Sequence, residues 1–508
     1  MNPDQNKVIK PENNKKSWYT IIEDIVPAPQ FIFVILAFLF GFFLIFITPP
    51  FQMPDEASHM FRAYKLSSFD LKTELKFVGN SDSLMSNPHY YIRAVNLPAN
   101  LDSFQRFFSN LKFRPENKTS KETIRATSMI RLESKKEKSI EITSNYSFLN
   151  YLPQILSIYV SRIFDFNVLW MFYLGRIFAL MFYVYCVYYA IKNTPIGKYI
   201  LLTLALMPMP LWLAGSYSGD SVINSLTFVS VALFLKLTIQ KEISYKNRDL
   251  ILFVLILTMF CVLKVVYYPL ILLIVLIPVK AFISRKMFRN IVVLTFVASI
   301  ILYLGWNTIL SHNLVALEYK PLTSLPHSKV SQTNNIIANP LLPFKIIKET
   351  LKTKALIYAV TLLGSFGYLD TLMPTWIYIF LALLLTTLVI SGNDKEVEIS
   401  KKTRWVILIL SVIIVFLAII SMYIIEGLTS KNNLVAEGVQ GRYFIPILIY
   451  IWLSFYGLVP YKPTRIISKK YLGLFLIIMF SIIYYQINYT LYLRYFIEGD
   501  SYFRYIGG

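Results

Sequence analysis

Two carboxylates, an imidazole and a guanidinium stand close together in Pro54-Asp55-Glu56-Ala57-Ser58-His59-Met60-Phe61-Arg62. Helical spacing from Pro54 onward sets Asp55, His59 and Arg62 along one face, with Glu56 three residues before His59. Carboxylates suit proton transfer, and an imidazole and a guanidinium beside them suit an anionic leaving group. The same stretch has a structural explanation. Proline at the first helical position followed by acidic residues is what a helix N-terminus favours, because its free N–H groups and dipole attract negative charge. That covers Pro54, Asp55 and Glu56 but leaves His59 without a task.

Further candidates lie far away in sequence. Gly215-Ser216-Tyr217-Ser218-Gly219-Asp220-Ser221 is a short turn opening a helix, where Asp220 either caps that helix or faces a site. Arg176 stands inside an apolar stretch, where a charge costs about 2.5–3.5 kcal/mol on insertion scales, so it must face the interior and find an acidic partner. A purely structural ion pair meets the same need. Lys264, with Tyr267 and Tyr268, interrupts two apolar runs, and Arg442-Tyr443 stands at the end of another; cations near helix ends commonly reach for the interface. Asp370, between Gly367 and Pro374, has the surroundings of a turn residue.

The elements that must position these residues are membrane helices. Of 508 residues 56% are hydrophobic and 16% charged, a composition of a polytopic membrane protein. The net charge of +21 then belongs in cytoplasmic loops before it implies nucleic acid, and no nucleic-acid partner is expected. Cys186 and Cys261 both lie in apolar stretches, which excludes a disulfide framework or a zinc site. With four histidines, no glycine-rich phosphate loop and no paired-histidine motif, the chain also lacks the parts of an ATP-driven pump or a haem protein.

Residues 1–30 read as a cytoplasmic tail and 31–48 as an uncleaved first transmembrane helix. Residues 49–166 form a large extracytoplasmic loop with short helices. A transmembrane bundle follows over 167–310, then a second extracytoplasmic loop with an interfacial segment over 311–373, C-terminal transmembrane helices over 374–493 and an extracytoplasmic tail over 494–508. Basic loops at Lys192–Lys198, Lys241–Arg248, Lys280–Arg289, Lys395–Arg404 and Lys462–Lys470 all fall on the cytoplasmic side if Ser147–Phe164 and Leu351–Tyr368 do not cross. That arrangement has about 11 spans. It brings Asp55, Asp220, Lys264, Asp370 and Arg442 to one membrane face, provided the chain reverses between Lys264 and Pro269.

Pro49-Pro50 with Pro54-Asp55-Glu56-x-x-His59, Tyr151-x-Pro153-Gln154, Gly175-Arg176, Ser216-x-Ser218-x-Asp220, Gly367-Tyr368-Leu369-Asp370 with Pro374, and Gly441-Arg442-Tyr443-Phe444-x-Pro446 together resemble a family of bacterial polytopic membrane proteins of unknown function. That family in turn looks related to the GT-C superfamily of glycosyltransferases, which use polyprenyl-phosphate sugars outside the membrane. The resemblance implies an all-α, GT-C-like bundle whose acidic first-loop position matches Asp55 or Glu56 and whose second acidic position matches Asp220. It also implies membrane-surface helices in the first loop. The chain lacks a Trp-Trp-Asp motif and a large soluble C-terminal domain, which disfavours transfer to protein asparagine.

The expectation is a plasma-membrane glycosyltransferase taking a sugar from a polyprenyl-phosphate donor to an envelope glycan or glycolipid. Asp55 is the expected general base, with Glu56 and His59 as its catalytic companions. Arg62, Arg176, Asp220, Lys264, Tyr267, Asp370, Arg442 and Tyr443 form the expected substrate-binding set. No metal or cofactor is required, although a divalent cation bridging Asp55 and Asp220 is compatible with the site. The alternatives are a transporter or flippase for an envelope glycolipid, which the lack of internal repeats argues against, and a non-catalytic subunit of a polysaccharide export system.

Overall fold

The computed structural model describes residues 26–78, 90–131, 136–143, 146–240, 242–316, 329–392, 399–426, 434–458, 469–497 and 502. The tail lysines at 7, 10, 15 and 16, and residues 395–398 and 462–468 of two basic loops, lie outside them.

The first apolar run forms α1 (Pro29–Ile47), which opens on a proline that has no N–H to leave unpaired and stops before Pro49-Pro50. The first loop holds α2 (Glu56–Ser67), β1 (Thr73–Val78), β2 (Tyr90–Pro98), α3 (Ala99–Ser109), α4 (Lys121–Ser128) and β3 (Glu137–Ile142). A 3-10 turn at Phe148–Tyr151 leads into α5 (Leu152–Ile163).

Next come α6 (Val168–Asn193), the pair α7 (Lys198–Ala205) and α8 (Pro208–Ala214), α9 (Asp220–Ile239) and α10 (Arg248–Leu263). A 3-10 stretch over Val265–Leu276 precedes α11 (Arg285–His312), β4 (Leu314–Ala316), α12 (Lys329–Ala338) and α13 (Leu342–Leu363). After the small ribbon β5 (Ser365–Phe366) and β6 (Thr371–Leu372) lie α14 (Thr375–Ile390), α15 (Lys401–Glu426), a 3-10 turn at Gly441–Phe444 running into α16 (Ile445–Phe455), and α17 (Lys469–Tyr495).

The fold is mostly helical, and among the described residues α1, α6, α9, α11, α15 and α17 are the six helices long and apolar enough to cross a membrane. Their positions in the bundle differ. The apolar window of α9 is 78% buried and that of α6 61%, against 22% for α11, so the central helices carry Asp220 and Arg176 while α11 lies at the rim. Pro208, the first residue of α8, breaks the apolar run before Gly215 into α7 and α8. At Lys264 the backbone extends (φ −164°, ψ 110°), and Ile243 N–H then bonds Ala281 C=O at 2.7 Å, so the chain doubles back beside its own approach.

Of the two doubtful segments, α5 has 12 residues, roughly 18 Å of helix against about 30 Å of hydrocarbon. α13 is longer but carries Lys345, Lys348, Glu349, Lys352 and Lys354, and is not among the six.

Beside the short helices α2, α3 and α4, the first loop holds strands that the sequence reading did not include. β1, β2 and β3 join β4 in a four-stranded sheet of order β3-β2-β1-β4, antiparallel except for the β1–β4 pair. β4 directly follows α11, so this pairing ties the end of that helix to the loop. The sheet is hard to read from sequence because its strands are short, charged and far apart, with the partner of β1 arriving from beyond the bundle.

Candidate active site

The turn between α1 and α2 sends two neighbouring carboxylates in different directions. Glu56, the first residue of α2, is fully buried. Arg176 on α6 grips it with two bonds, Nε to Oε1 at 2.9 Å and Nη2 to Oε2 at 2.6 Å. The same guanidinium donates from Nη1 to the carbonyls of Ile45 (2.9 Å) and Thr48 (2.6 Å), and from Nη2 to that of Pro49 (3.2 Å). The first two are carbonyls that the end of α1 leaves unpaired, while that of Pro49 also accepts the Gln52 N–H. Arg176 thus finds its acidic partner and caps a helix in one arrangement. Glu56, expected among the catalytic residues, and Arg176, expected in the substrate-binding set, are thus both buried with their polar atoms engaged by each other and by backbone.

Asp55 adopts a left-handed conformation (φ 59°, ψ 11°), which Asp tolerates better than most residues, and its side chain makes no capping bond to α2. The carboxylate is half-exposed at 49%, and Oδ2 accepts from Arg442 Nη2 at 3.0 Å. Arg442 is nearly buried and extends the group: Nη1 donates to Asp220 Oδ2 at 3.3 Å and Nε to Gln440 Oε1 at 2.6 Å. Asp220 Oδ1 receives Lys264 Nζ at 3.3 Å. The result is a chain of alternating charge, Asp55–Arg442–Asp220–Lys264, with Asp55 at its open end. Lys264 Nζ also stands 3.8 Å above the Tyr443 ring and near the rings of Tyr146 and Tyr267.

Local bonding explains why these side chains are free to meet. Ser218 Oγ accepts the Asp220 N–H and Ser216 Oγ that of Ser218, so hydroxyls take the capping duty and release the Asp220 carboxylate. Asn150 Nδ2 bonds the carbonyl of Leu263, fixing the residue before Lys264. Tyr267 Oη donates to the Tyr443 carbonyl at 2.8 Å. A side chain at Gly441 would run into the Tyr358 carbonyl and the Leu362 backbone nitrogen, so glycine lets the Arg442 turn lie against α13.

His59, one turn into α2, bonds the Tyr151 hydroxyl through Nδ1 at 2.6 Å and stacks on Tyr146 at 5.6 Å between ring centres. Burial is the main influence that pushes its pKa down to about 4, with Arg442 and Lys264 assisting and Asp55 and Asp220 opposing. The imidazole is therefore neutral at ordinary pH.

Three placements differ from the sequence reading. Asp370 joins a separate pair with Arg494 Nη2 at 3.1 Å; Arg494, on α17, also bonds the carbonyls of Leu111 and Asn117, so this pair fastens the last helix to the first loop. Arg62 is buried beyond His59, where Nη1 reaches Thr73 Oγ1 at 3.4 Å, and makes no bond to the Asp55 group. The fork of Arg442 is filled by Asp55, Asp220 and Gln440, so it is not open to grip a phosphate from two sides. Sequence reasoning missed Gln440, Tyr146 and Arg494; the position of Gln440 beside Gly441-Arg442 was the one usable signal. Among the described residues no three His, Cys, Asp or Glu side chains gather to hold a metal ion, and Arg442 occupies the bridging position between Asp55 and Asp220.

No curated protein and no solved structure matches the chain. The family model described as "Predicted membrane protein (DUF2142)" matches residues 38–451, a range that contains the second half of α1, the whole first loop and the Asp55, Asp220, Lys264 and Arg442 cluster. This chain, most of whose length that model covers, belongs to the DUF2142 family of predicted membrane proteins.

Proposed function

We propose that this chain is a membrane glycosyltransferase that moves a sugar from a polyprenyl-phosphate-linked donor to a cell-envelope glycan or glycolipid at the extracytoplasmic face of the plasma membrane. Beside the six long helices, α7–α8, α10, the Val265–Leu276 stretch, α14 and the Gly441–Phe455 unit make about eleven crossings of a GT-C-like bundle. In this arrangement the N-terminus is cytoplasmic and the Asp55 group extracytoplasmic.

The observation that carries the reading is the Asp55 carboxylate, free of capping duty, open on one side and held from behind by Arg442. Asp55 takes the proton of the acceptor hydroxyl, whose oxygen forms a bond to the anomeric carbon of the sugar. The bond from that carbon to the phosphate oxygen breaks, and its electron pair leaves with polyprenyl phosphate. Lys264 faces the departing charge. Protonation of Asp55 also loosens its hold on Arg442 Nη2, which becomes available to the phosphate at the moment charge develops there. A divalent cation shared by Asp55 and Asp220 would have to displace Arg442.

The test is the envelope glycan composition of a deletion strain complemented with each variant at matched abundance. Asp55→Asn keeps the shape of the side chain but cannot accept a proton, and transfer should fall roughly 10²–10⁴-fold with little change in protein level. Unchanged glycan composition in this variant would remove Asp55 as base and the reading with it. A flippase would instead leave its glycolipid cargo on the inner leaflet when Asp55 is changed.

A further inference from the structure

Among the described residues the arginines with no exposed surface are Arg62, Arg176 and Arg494. Arg176 is paired with Glu56 and Arg494 with Asp370. Arg62 has no such partner. Its contact with Thr73 is long, and its Nε and Nη2 have no hydrogen-bond partner among the described residues. Asp70, whose charge reaches it, is held by Lys65 at 2.6 Å.

A second arginine shares the place. Arg93 on β2 lies opposite Leu75 of β1 and Ile142 of β3. By strand alternation Thr73, Val95 and Ile140 occupy the same face as Arg93, which is the buried face that packs on α2. Arg93 is half-buried and within electrostatic reach of Arg62, and no carboxylate among the described residues pairs with it.

A buried charge without a counter-charge is costly, and a second like charge beside it adds to the cost. An anion between them removes both penalties, and the planar guanidinium offers paired donors that match a carboxylate or phosphate. The geometry points to an oxyanion pocket between α2 and the sheet, in which Arg62 at the base and Arg93 at the more open rim take a phosphate or carboxylate group of the acceptor. Arg62 follows Asp55 by seven residues, roughly 10 Å along the helix, so one part of an acceptor is held here while another reaches Asp55. The assignment to an acceptor rests on the transferase reading; the pocket itself does not.

The experiment is thermal unfolding of the purified full-length protein in detergent, titrated with glycerol 3-phosphate, with glucuronate, and with neutral glycerol and glucose as controls. Binding to the folded state raises the midpoint in a saturable way. Either anion should raise it and the neutral probes should not, and whichever anion acts at lower concentration identifies the group. Arg93→Gln should weaken the apparent affinity at least tenfold. Arg62→Gln should abolish the effect and raise the midpoint of the ligand-free protein, because it removes an unpaired buried charge. No anion effect in the wild type, or an equal effect in Arg93→Gln, overturns the pocket even if Arg62→Gln fails to fold. In transfer assays Arg93→Gln should lose activity toward an anionic acceptor and keep it toward a neutral one; equal loss toward both overturns the acceptor assignment. An anion effect that persists while no transfer is ever detected sinks the transferase reading alone.

Discussion

Asp55 and Glu56 are adjacent, carry the same charge and each meet an arginine, yet they have opposite fates. Glu56 and Arg176 are fully buried and bonded to each other and to carbonyls at the end of α1. Asp55 keeps half of its side chain open, while the charge that balances it lies behind on Arg442. What separates the two is not charge or spacing but the number of lone pairs left over once the protein has been satisfied. A carboxylate whose oxygens are all committed holds structure together; one with an oxygen facing open space has capacity for a substrate. The two central helices supply one member of each group, Arg176 from α6 and Asp220 from α9.

The sharpest way to break this comparison is to cut the buried pair. Arg176→Met strands the Glu56 charge and should destabilise the protein by roughly 3–5 kcal/mol, read as loss of membrane abundance and a lower unfolding midpoint in detergent. Adding Glu56→Gln should recover much of that loss. A stable Arg176→Met protein that fails only in transfer would place the buried pair in the chemistry and erase the distinction.

A smaller effect tests the boundary between the two groups. His59 has its pKa held near 4 in the folded protein, against 6.5 in an unfolded chain. The unfolded chain therefore binds a proton first as pH falls, so the stability contributed by neutral His59 is complete above about pH 6.5 and is lost toward pH 4. By pH 5 the loss is on the order of 2 kcal/mol. Unfolding midpoints at pH 7 and pH 5 should diverge more for the wild type than for His59→Gln; identical pH dependence in both would mean that the imidazole already carries charge.

The smallest expected change sharpens the reactive side. Arg442→Lys retains the positive charge but cannot reach Asp55 and Asp220 with separate nitrogens, and it should slow transfer about tenfold, on the order of 1.4 kcal/mol, at unchanged abundance. If Lys serves as well as Arg in the rate of transfer, the bridging geometry has no role and only its charge matters.

Much of the helical framework was legible because lipid leaves a chain few options: an apolar run must satisfy its own backbone, and the helix does so. Phe31–Thr48 appears as α1 almost residue for residue, and the interruption at Lys264 is a true reversal. The demand of Arg176 for an acid was equally readable, since it follows from the cost of charge in an apolar setting. The identity of that acid was not. Glu56 lies 120 residues from Arg176, and Arg442 lies 387 residues from Asp55, so spacing along the chain carries no information about which will meet. The left-handed turn at Asp55 decided that one carboxylate points inward and its neighbour toward open space. The sheet escaped notice for a related reason, because β1 pairs with β4, which comes only after α11. Composition and apolar patterning determined by themselves that this chain builds a membrane bundle with charges it must pay to hide. Only the packing of distant elements decided which charges neutralise one another and which is left facing outward, because electrostatic pairing depends on separation in space and on the donors and acceptors still unfilled there.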